Sequence, residues 1–349
     1  MSVCTAPALY GKGVLTASLP ANHWQAHCHS RGIALVDVNV NFEGCQAMLD
    51  VPARNAAAQT PSSGRQLSII ASDGTPLGAT LFEPSRPAPS GAPLIVIGCA
   101  AGVPSRYYAR FAAYAAERGH PVLTWDYRGM GLSRAGSLQG SPIRMRDWCT
   151  IDTPGVINWA TRTYPDRALL WLGHSLGGFA TGLAHNNTGI ARQLSVATLS
   201  GYWGRMSSPE RYRVRFLMGS VAPIVVRLAG YFPGWLMGGE DMPGPAFLEW
   251  ARWCMEPEFI FGDPTLTETR YLAQFRAPIR FAQIEDDVWG TPAAVEHMAS
   301  HFTGNTERSI WPIRLTDAGG QRIGHLGFFR EQFRDTLWPA AYAWLAGQR

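Results

Sequence analysis

The residues of this chain whose types and spacing most directly suggest chemistry are Gly173-His174-Ser175-Leu176-Gly177-Gly178. They follow the apolar run Ala168-Leu169-Leu170-Trp171-Leu172 and open a small-residue helical pattern. A G-x-S-x-G sequence between a strand and a helix sets its serine on a tight turn, with the hydroxyl lifted out of the sheet. The glycines are needed because side chains at those flanks would collide with neighbouring chain, and the serine backbone itself is strained. The helix that follows aims its free N–H groups at developing negative charge. Ser175 is therefore expected to act as a nucleophile. His174, inside the turn, is expected to pack beside it.

A serine hydroxyl is a weak nucleophile until a base takes its proton, and that base must be oriented by a carboxylate. On a strand–serine–helix turn the chain order is serine, acid, histidine. Three of the nine histidines lie in the last quarter of the chain: His297, His301 and His325. The first two fall four apart in a helical pattern, where exposed or capping roles are expected. His325 lies in Arg322-Ile323-Gly324-His325-Leu326-Gly327, a glycine-flanked loop able to carry an imidazole to Ser175. The acid is expected after the strand at 279–284, where the chain reads Glu285-Asp286-Asp287. Asp287, a few residues before the helix-starting Pro292, is favoured, with Asp286 as the alternative and Glu285 third. A plain helix-capping role for part of this acidic run is also open. Two backbone N–H groups must meet the tetrahedral oxyanion. Leu176 supplies one, and the loop Gly98-Cys99-Ala100-Ala101-Gly102 offers Cys99 or Ala100 for the other. Cys99 reads as a small buried residue rather than a reactive thiol.

The elements that must position these residues follow a regular rhythm from about Gln66. Runs at 67–71 and 78–83 flank Asp73-Gly74 and predict an antiparallel hairpin. Strands are expected at 93–97, 121–125, 168–172, 193–199, 279–284 and 310–315. Helices are expected at 106–118, 152–164, 176–184, after Thr291, and around 328–345. Fully apolar strands alternating with helices indicate an α/β protein, with a mostly parallel eight-stranded sheet covered by helices on both faces. Between 201 and 277 the rhythm stops. That stretch carries Trp203, Trp235, Trp250 and Trp253 and is too long for a plain connection, so it reads as a helical cap insertion. Its tryptophans and the Tyr107-Tyr108 pair suggest an apolar or aromatic substrate group.

Residues 1–64 lack sustained periodicity, end in a polar, small-residue stretch, and read as an irregular extension to a domain spanning 65–349. His23, His27, Cys28 and His29 are close enough to suggest a metal cluster, but no second ligand group completes one, and no metal is expected there. Met48 is an alternative first residue.

Composition narrows the function classes. The chain has 349 residues, 46% hydrophobic and 16% charged, with 30 basic against 26 acidic side chains and a net charge of +4. That suits a protein with a large core and gives no basic run or face for nucleic acid. Six cysteines are scattered without framework spacing. No apolar run is long enough to span a membrane. The N-terminus is a poor secretory signal, so a cytoplasmic location is expected.

With the turn Asp126-Tyr127-Arg128-Gly129-Met130-Gly131-Leu132-Ser133, which is similar to a D-x-R-G-x-G-x-S segment, the chain resembles the α/β-hydrolase superfamily from about Gln66 to its end. More narrowly it is similar to a group of bacterial "predicted α/β hydrolases". The features shared with that group are Gly102-Val103-Pro104, Gly201-Tyr202-Trp203, Leu248-Glu249-Trp250-Ala251-Arg252-Trp253, the Asp286-Asp287 pair and Gly324-His325-Leu326-Gly327-Phe328-Phe329. It departs from many relatives at Gly98-Cys99, where they have His-Gly. The resemblance implies an α/β-hydrolase fold, a cap-covered acyl site, a Ser-Asp-His triad and no cofactor. The function it implies is cleavage of a carboxylic ester or related acyl bond in a small-molecule substrate. Thioesterase, lactonase, acyltransferase and amidase chemistry fit the same triad, and a non-catalytic binder that kept the pocket is the alternative from another class.

Overall fold

The computed structural model describes residues 64–84 and 91–348. The expected extension up to residue 63, with its histidine and cysteine group, lies outside the described residues. The hairpin forms as β1 (Arg65–Ile70) and β2 (Pro76–Phe82) around the Asp73-Gly74 turn. After it come β3 (Leu94–Gly98), β4 (Val122–Trp125), β5 (Leu169–His174) and β6 (Ile190–Val196). The short pair β7 (Tyr231–Phe232) and β8 (Met242–Pro243) stands apart. Then β9 (Ile279–Ile284) and β10 (Arg308–Ile313) rejoin the main sheet. The eight strands are ordered β1-β2-β4-β3-β5-β6-β9-β10. The β1–β2 and β2–β4 pairs are antiparallel, and every other pair is parallel.

Strands β3, β4 and β5 are buried at every residue, as continuous apolar runs in a sheet covered on both faces must be. The covering helices include α1 (Ala109–Ala116) and α2 (Thr153–Thr163). Phe111 and Tyr114 of α1 meet Trp338 edge-to-face at 5.3 Å each, a geometry that adds to the simple area they bury.

Several limits differ from expectation: the last strand runs Arg308–Ile313 rather than 310–315, and the helix expected at 176–184 is α-helical only over Leu176–Phe179. Two further differences have a local cause. The strand expected at 193–199 runs from Ile190 to Val196, because Ala197 takes a positive φ of 50° and ends it. The last helix, expected around 328–345, is regular only from Trp338 to Leu345. Pro339 has no N–H to bond one turn back, so the helix can begin beside it but not run through it.

The D-x-R-G-x-G-x-S turn after β4 is a structural clamp. Asp126 is buried and accepts from Ser105 N (2.6 Å), Ser105 Oγ (2.7 Å) and Leu132 N (2.9 Å). Arg128 joins buried Asp152 (2.6 Å) to Asp73 in the hairpin turn (2.8 Å). Gly131 sits at φ 41°, where a Cβ would come within 2.4 Å of the Asp126 carboxylate.

Residues 201–277 connect neighbouring strands β6 and β9. They hold α3 (Glu210–Phe216), α4 (Ala222–Ala229) and α5 (Gly244–Met255). Glu249 on α5, almost fully buried, is held by Arg144 and by Arg146 of the helical turn that precedes α2, each at 2.6 Å. These charge-assisted bonds tie the insertion down beside the C-terminal ends of the strands. Among the described residues no helix is long and apolar enough to cross a membrane.

Candidate active site

Ser175 stands between β5 and a short helical turn, with φ 50° and ψ −112°. Its amide donates to the Val196 carbonyl (2.9 Å), and its carbonyl accepts from Thr198 Oγ1 (3.0 Å), so neighbouring chain holds the strained conformation. The glycine flanks are obligatory by contact. A Cβ on Gly173 would lie 2.3 Å from Gly178 Cα, and one on Gly177 would lie 2.2 Å from the Gly98 carbonyl oxygen.

His325 Nε2 lies 3.1 Å from Ser175 Oγ, and His325 Nδ1 lies 2.8 Å from Asp287 Oδ2. The Asp287 side chain is wholly buried. Burial alone would push its carboxyl up, but the His325 ring and hydrogen bonds from His325, Gly290 and Trp289 outweigh it and hold the group below its ordinary value. Asp287 Oδ2 accepts from Nδ1, which sets Nε2 toward the serine hydroxyl. The other two carboxylates point elsewhere. Asp286 accepts the backbone N–H of Ile323 (3.1 Å) and Gly324 (2.8 Å), and Glu285 accepts that of Leu315 (2.7 Å). The carboxylate beside the imidazole is that of Asp287. Asp286 instead pins the loop carrying it.

His174 does more than pack. It is fully buried, with Nδ1 2.8 Å from Tyr108 Oη and Nε2 2.9 Å from the His325 carbonyl oxygen. A carbonyl can only accept, so Nε2 carries the proton and Nδ1 accepts from the tyrosine hydroxyl. Burial, reinforced by the nearby His325, lowers the His174 pKa to about 3, which keeps the ring neutral. Tyr108 Oη in turn accepts the Ala100 N–H at 2.9 Å. A chain of three hydrogen bonds thus runs from the loop after β3 to the backbone of His325.

That chain takes up one of the two loop donors expected at the oxyanion. The Ala100 N–H is donated to Tyr108 Oη. Cys99 donates its thiol to the Trp125 carbonyl (3.1 Å), and burial pushes the thiol pKa well up, so it is no reactive group. The cavity at Ser175 is bordered by Ala101 and Leu176, not by Cys99 or Ala100. The loop after β3 thus brings Ala101, the third residue after Gly98, to the Ser175 cavity.

The same cavity is walled by Met145, Phe179, Leu199, Gly201, Trp250, Phe259 and Trp289. Of the insertion's tryptophans, Trp250 reaches it. Trp253 is buried against Asp263, to which its indole donates (2.9 Å), and Trp235 is 71% exposed. Tyr107 and Tyr108 do not border it: Tyr107 donates to the Leu326 carbonyl and Tyr108 to His174. The pair supports the His325 loop rather than a ligand. Sequence reasoning missed Trp289, which lies over the His325 ring at 5.9 Å, inclined by 29°, and donates its indole N–H to Glu210 of the insertion (2.7 Å). Its position two residues after Asp287 was the available signal.

Comparison with known proteins agrees with this architecture. Residues 92–184 match the family described as alpha/beta hydrolase fold. Similar solved structures include a soluble variant of monoglyceride lipase from Saccharomyces cerevisiae in complex with a substrate analogue. It is 11% identical, with a TM-score of 0.59 over 84% of this chain and 97% of that one. A monoacylglycerol lipase of Paleococcus ferrophilus is 13% identical, with a TM-score of 0.52 over 78% of this chain and 98% of that one. The Pyrococcus furiosus esterase Pf2001 is 13% identical, with a TM-score of 0.50 over 85% and 98%. A comparison with curated protein sequences finds no match. The chain is an α/β-hydrolase-fold protein.

Proposed function

We propose that the protein is a serine hydrolase that cleaves carboxylic esters of small molecules through a Ser175 acyl-enzyme. One observation carries this reading: a single imidazole, His325, bridges Ser175 Oγ at 3.1 Å and Asp287 Oδ2 at 2.8 Å. In the first step His325 Nε2 takes the serine proton as Oγ attacks the acyl carbon. The backbone N–H groups of Leu176 and Ala101 receive the oxyanion. His325 then protonates the leaving alcohol, and a water activated by the same nitrogen releases the acid. The esterase and monoacylglycerol lipase names among similar structures favour an ester over an amide as substrate.

The wall of the cavity is apolar on nearly every side, which suits an apolar acyl or alcohol group. Its volume of 20 Å³ holds about one water, so a bound ester needs more room than this arrangement gives. Hydrolysis of p-nitrophenyl esters graded by acyl length tests the reading, together with labelling by a fluorophosphonate. Ser175→Ala should lower kcat by about 10⁴-fold or more and abolish the label. Retained turnover or labelling in that variant would remove Ser175 from the mechanism.

A further inference from the structure

Away from Ser175, one group of side chains has the make-up of a metal site. His297 and His301 lie four residues apart at the end of α6 (Pro292–Ser300), where His301 is the residue that closes the helix. That spacing puts both imidazoles on one face. Glu258 reaches them from the insertion, and one ligand atom from each of the three residues lies within 4.8 Å of the others.

Two of these atoms, His297 Nε2 and Glu258 Oε2, already face each other. His301 Nδ1 lies 2.8 Å from the His297 carbonyl oxygen, so it carries the proton and leaves Nε2 with a free lone pair. A ring N–H donated to a carbonyl is how ligating histidines are commonly oriented. His297 Nε2 is 3.1 Å from Glu258 Oε2, while its Nδ1 is buried without a hydrogen-bond partner, so the ring is held from its Nε2 side alone. Arg205 approaches the other carboxylate oxygen, Oε1, at 3.8 Å, leaving Oε2 to face the imidazoles. Phe261 stacks on His301 and forms an apolar wall behind the ring.

We propose that Glu258, His297 and His301 form a binding site for a divalent transition metal of the zinc class. Two imidazole nitrogens and one carboxylate oxygen make a three-residue set with a fourth position for water, and the nitrogen donors disfavour magnesium and calcium. The site would act as a clasp. Glu258 belongs to the insertion, whereas α6 follows the Asp287 loop of the main domain. Phe259, next to Glu258, has a positive φ of 54° and walls the Ser175 cavity. Metal binding fixes that wall in place.

The test uses the full chain, stripped with a chelator and titrated with Co²⁺ and Zn²⁺. Co²⁺ reports coordination through its visible absorption, and Zn²⁺ through stoichiometry and melting temperature. The wild-type protein should bind Zn²⁺ with a rise in Tm of about 2 °C or more. The double variant H297A/H301A should lose one equivalent of metal together with that rise. A triple variant H23A/H27A/H29A should keep both, which separates this site from the histidines of the first 63 residues. Should the double variant fail to fold, Glu258→Gln on the exposed side of the site should weaken Zn²⁺ binding at least tenfold. Equal stoichiometry in wild type and H297A/H301A, or no binding by the wild type, would overturn the proposal. Ser175→Ala should bind metal as the wild type does, so the outcome does not depend on the role given to Ser175.

Discussion

Replacing Asp287 by asparagine should reduce kcat far more than the same change at its neighbour Asp286, and the structure sets the size of the gap. Asp287 Oδ2 holds the His325 Nδ1 proton at 2.8 Å, while Oδ1 accepts the Trp289 N–H at 2.9 Å. An asparagine fits the same space. To keep the Trp289 bond, it must turn its NH₂ toward Nδ1, which forces the imidazole proton onto Nε2 and aims a donor at Ser175. In serine hydrolases that loss of the correct tautomer lowers kcat by roughly 10⁴-fold, or about 5.4 kcal/mol of transition-state stabilisation. Asp286 never touches the ring. Asp286→Asn removes one of two backbone hydrogen bonds at a partly solvated carboxylate, worth about 1 kcal/mol, so kcat should fall roughly fivefold. The assay is steady-state hydrolysis of a p-nitrophenyl ester by both variants, with circular dichroism to check folding. If Asp286→Asn falls as far as Asp287→Asn, or if Asp287→Asn keeps more than a tenth of wild-type kcat, the assignment of the acid is wrong.

Other expectations follow from the same contacts. His174 stays neutral down to about pH 3 in the folded protein, whereas an unfolded histidine protonates near 6.5. The unfolded state therefore binds the extra proton between those values, and stability present above pH 6.5 is lost as the pH falls, by up to about 1.4 kcal/mol per unit. Urea unfolding at pH 7, 5 and 4 should show this loss in the wild type, with a shallower loss in His174→Gln; identical slopes would exclude His174 as the source. Tyr108→Phe leaves the Ala100 N–H and His174 Nδ1 both buried without their partner, and should lower stability by roughly 2 kcal/mol with a drop in kcat, read by denaturation and ester turnover. Arg128→Leu strands the buried Asp152 carboxylate and should cost about 3–5 kcal/mol, seen as a large drop in Tm. Trp289→Phe removes the indole N–H that reaches Glu210 across to the insertion, and should change KM more than kcat in the ester assay.

Much of this protein is local in sequence, and what is local was legible. The elbow is written in six consecutive residues, because only glycine fits at 173 and 177 and only a strand-to-helix turn requires them. The parallel sheet is legible because strands buried on both faces must be apolar throughout. Pro339 shows why boundaries are harder: a helical pattern spreads over 328–345, and one missing N–H decides where the helix starts.

Long-range choices were not legible. Among three adjacent carboxylates, 285 to 287, the spacing to Pro292 favours Asp287 but leaves Asp286 open. Which one meets His325 depends on how the chain turns after β9, since each successive side chain leaves the backbone in a different direction. His174 and Tyr108 read as a packing residue and half of an aromatic pair. Burial made them into a polar link, because a hydroxyl and an imidazole removed from water must find each other or another partner. Glu258 and His297, thirty-nine positions apart, meet only because the insertion folds back beside α6. The kind of chemistry was carried by short motifs whose backbone demands are local. Which carboxylate lies beside His325, which loop residue borders the Ser175 cavity and where the insertion meets α6 depend on tertiary packing, which alone fixes the distances on which such contacts rest.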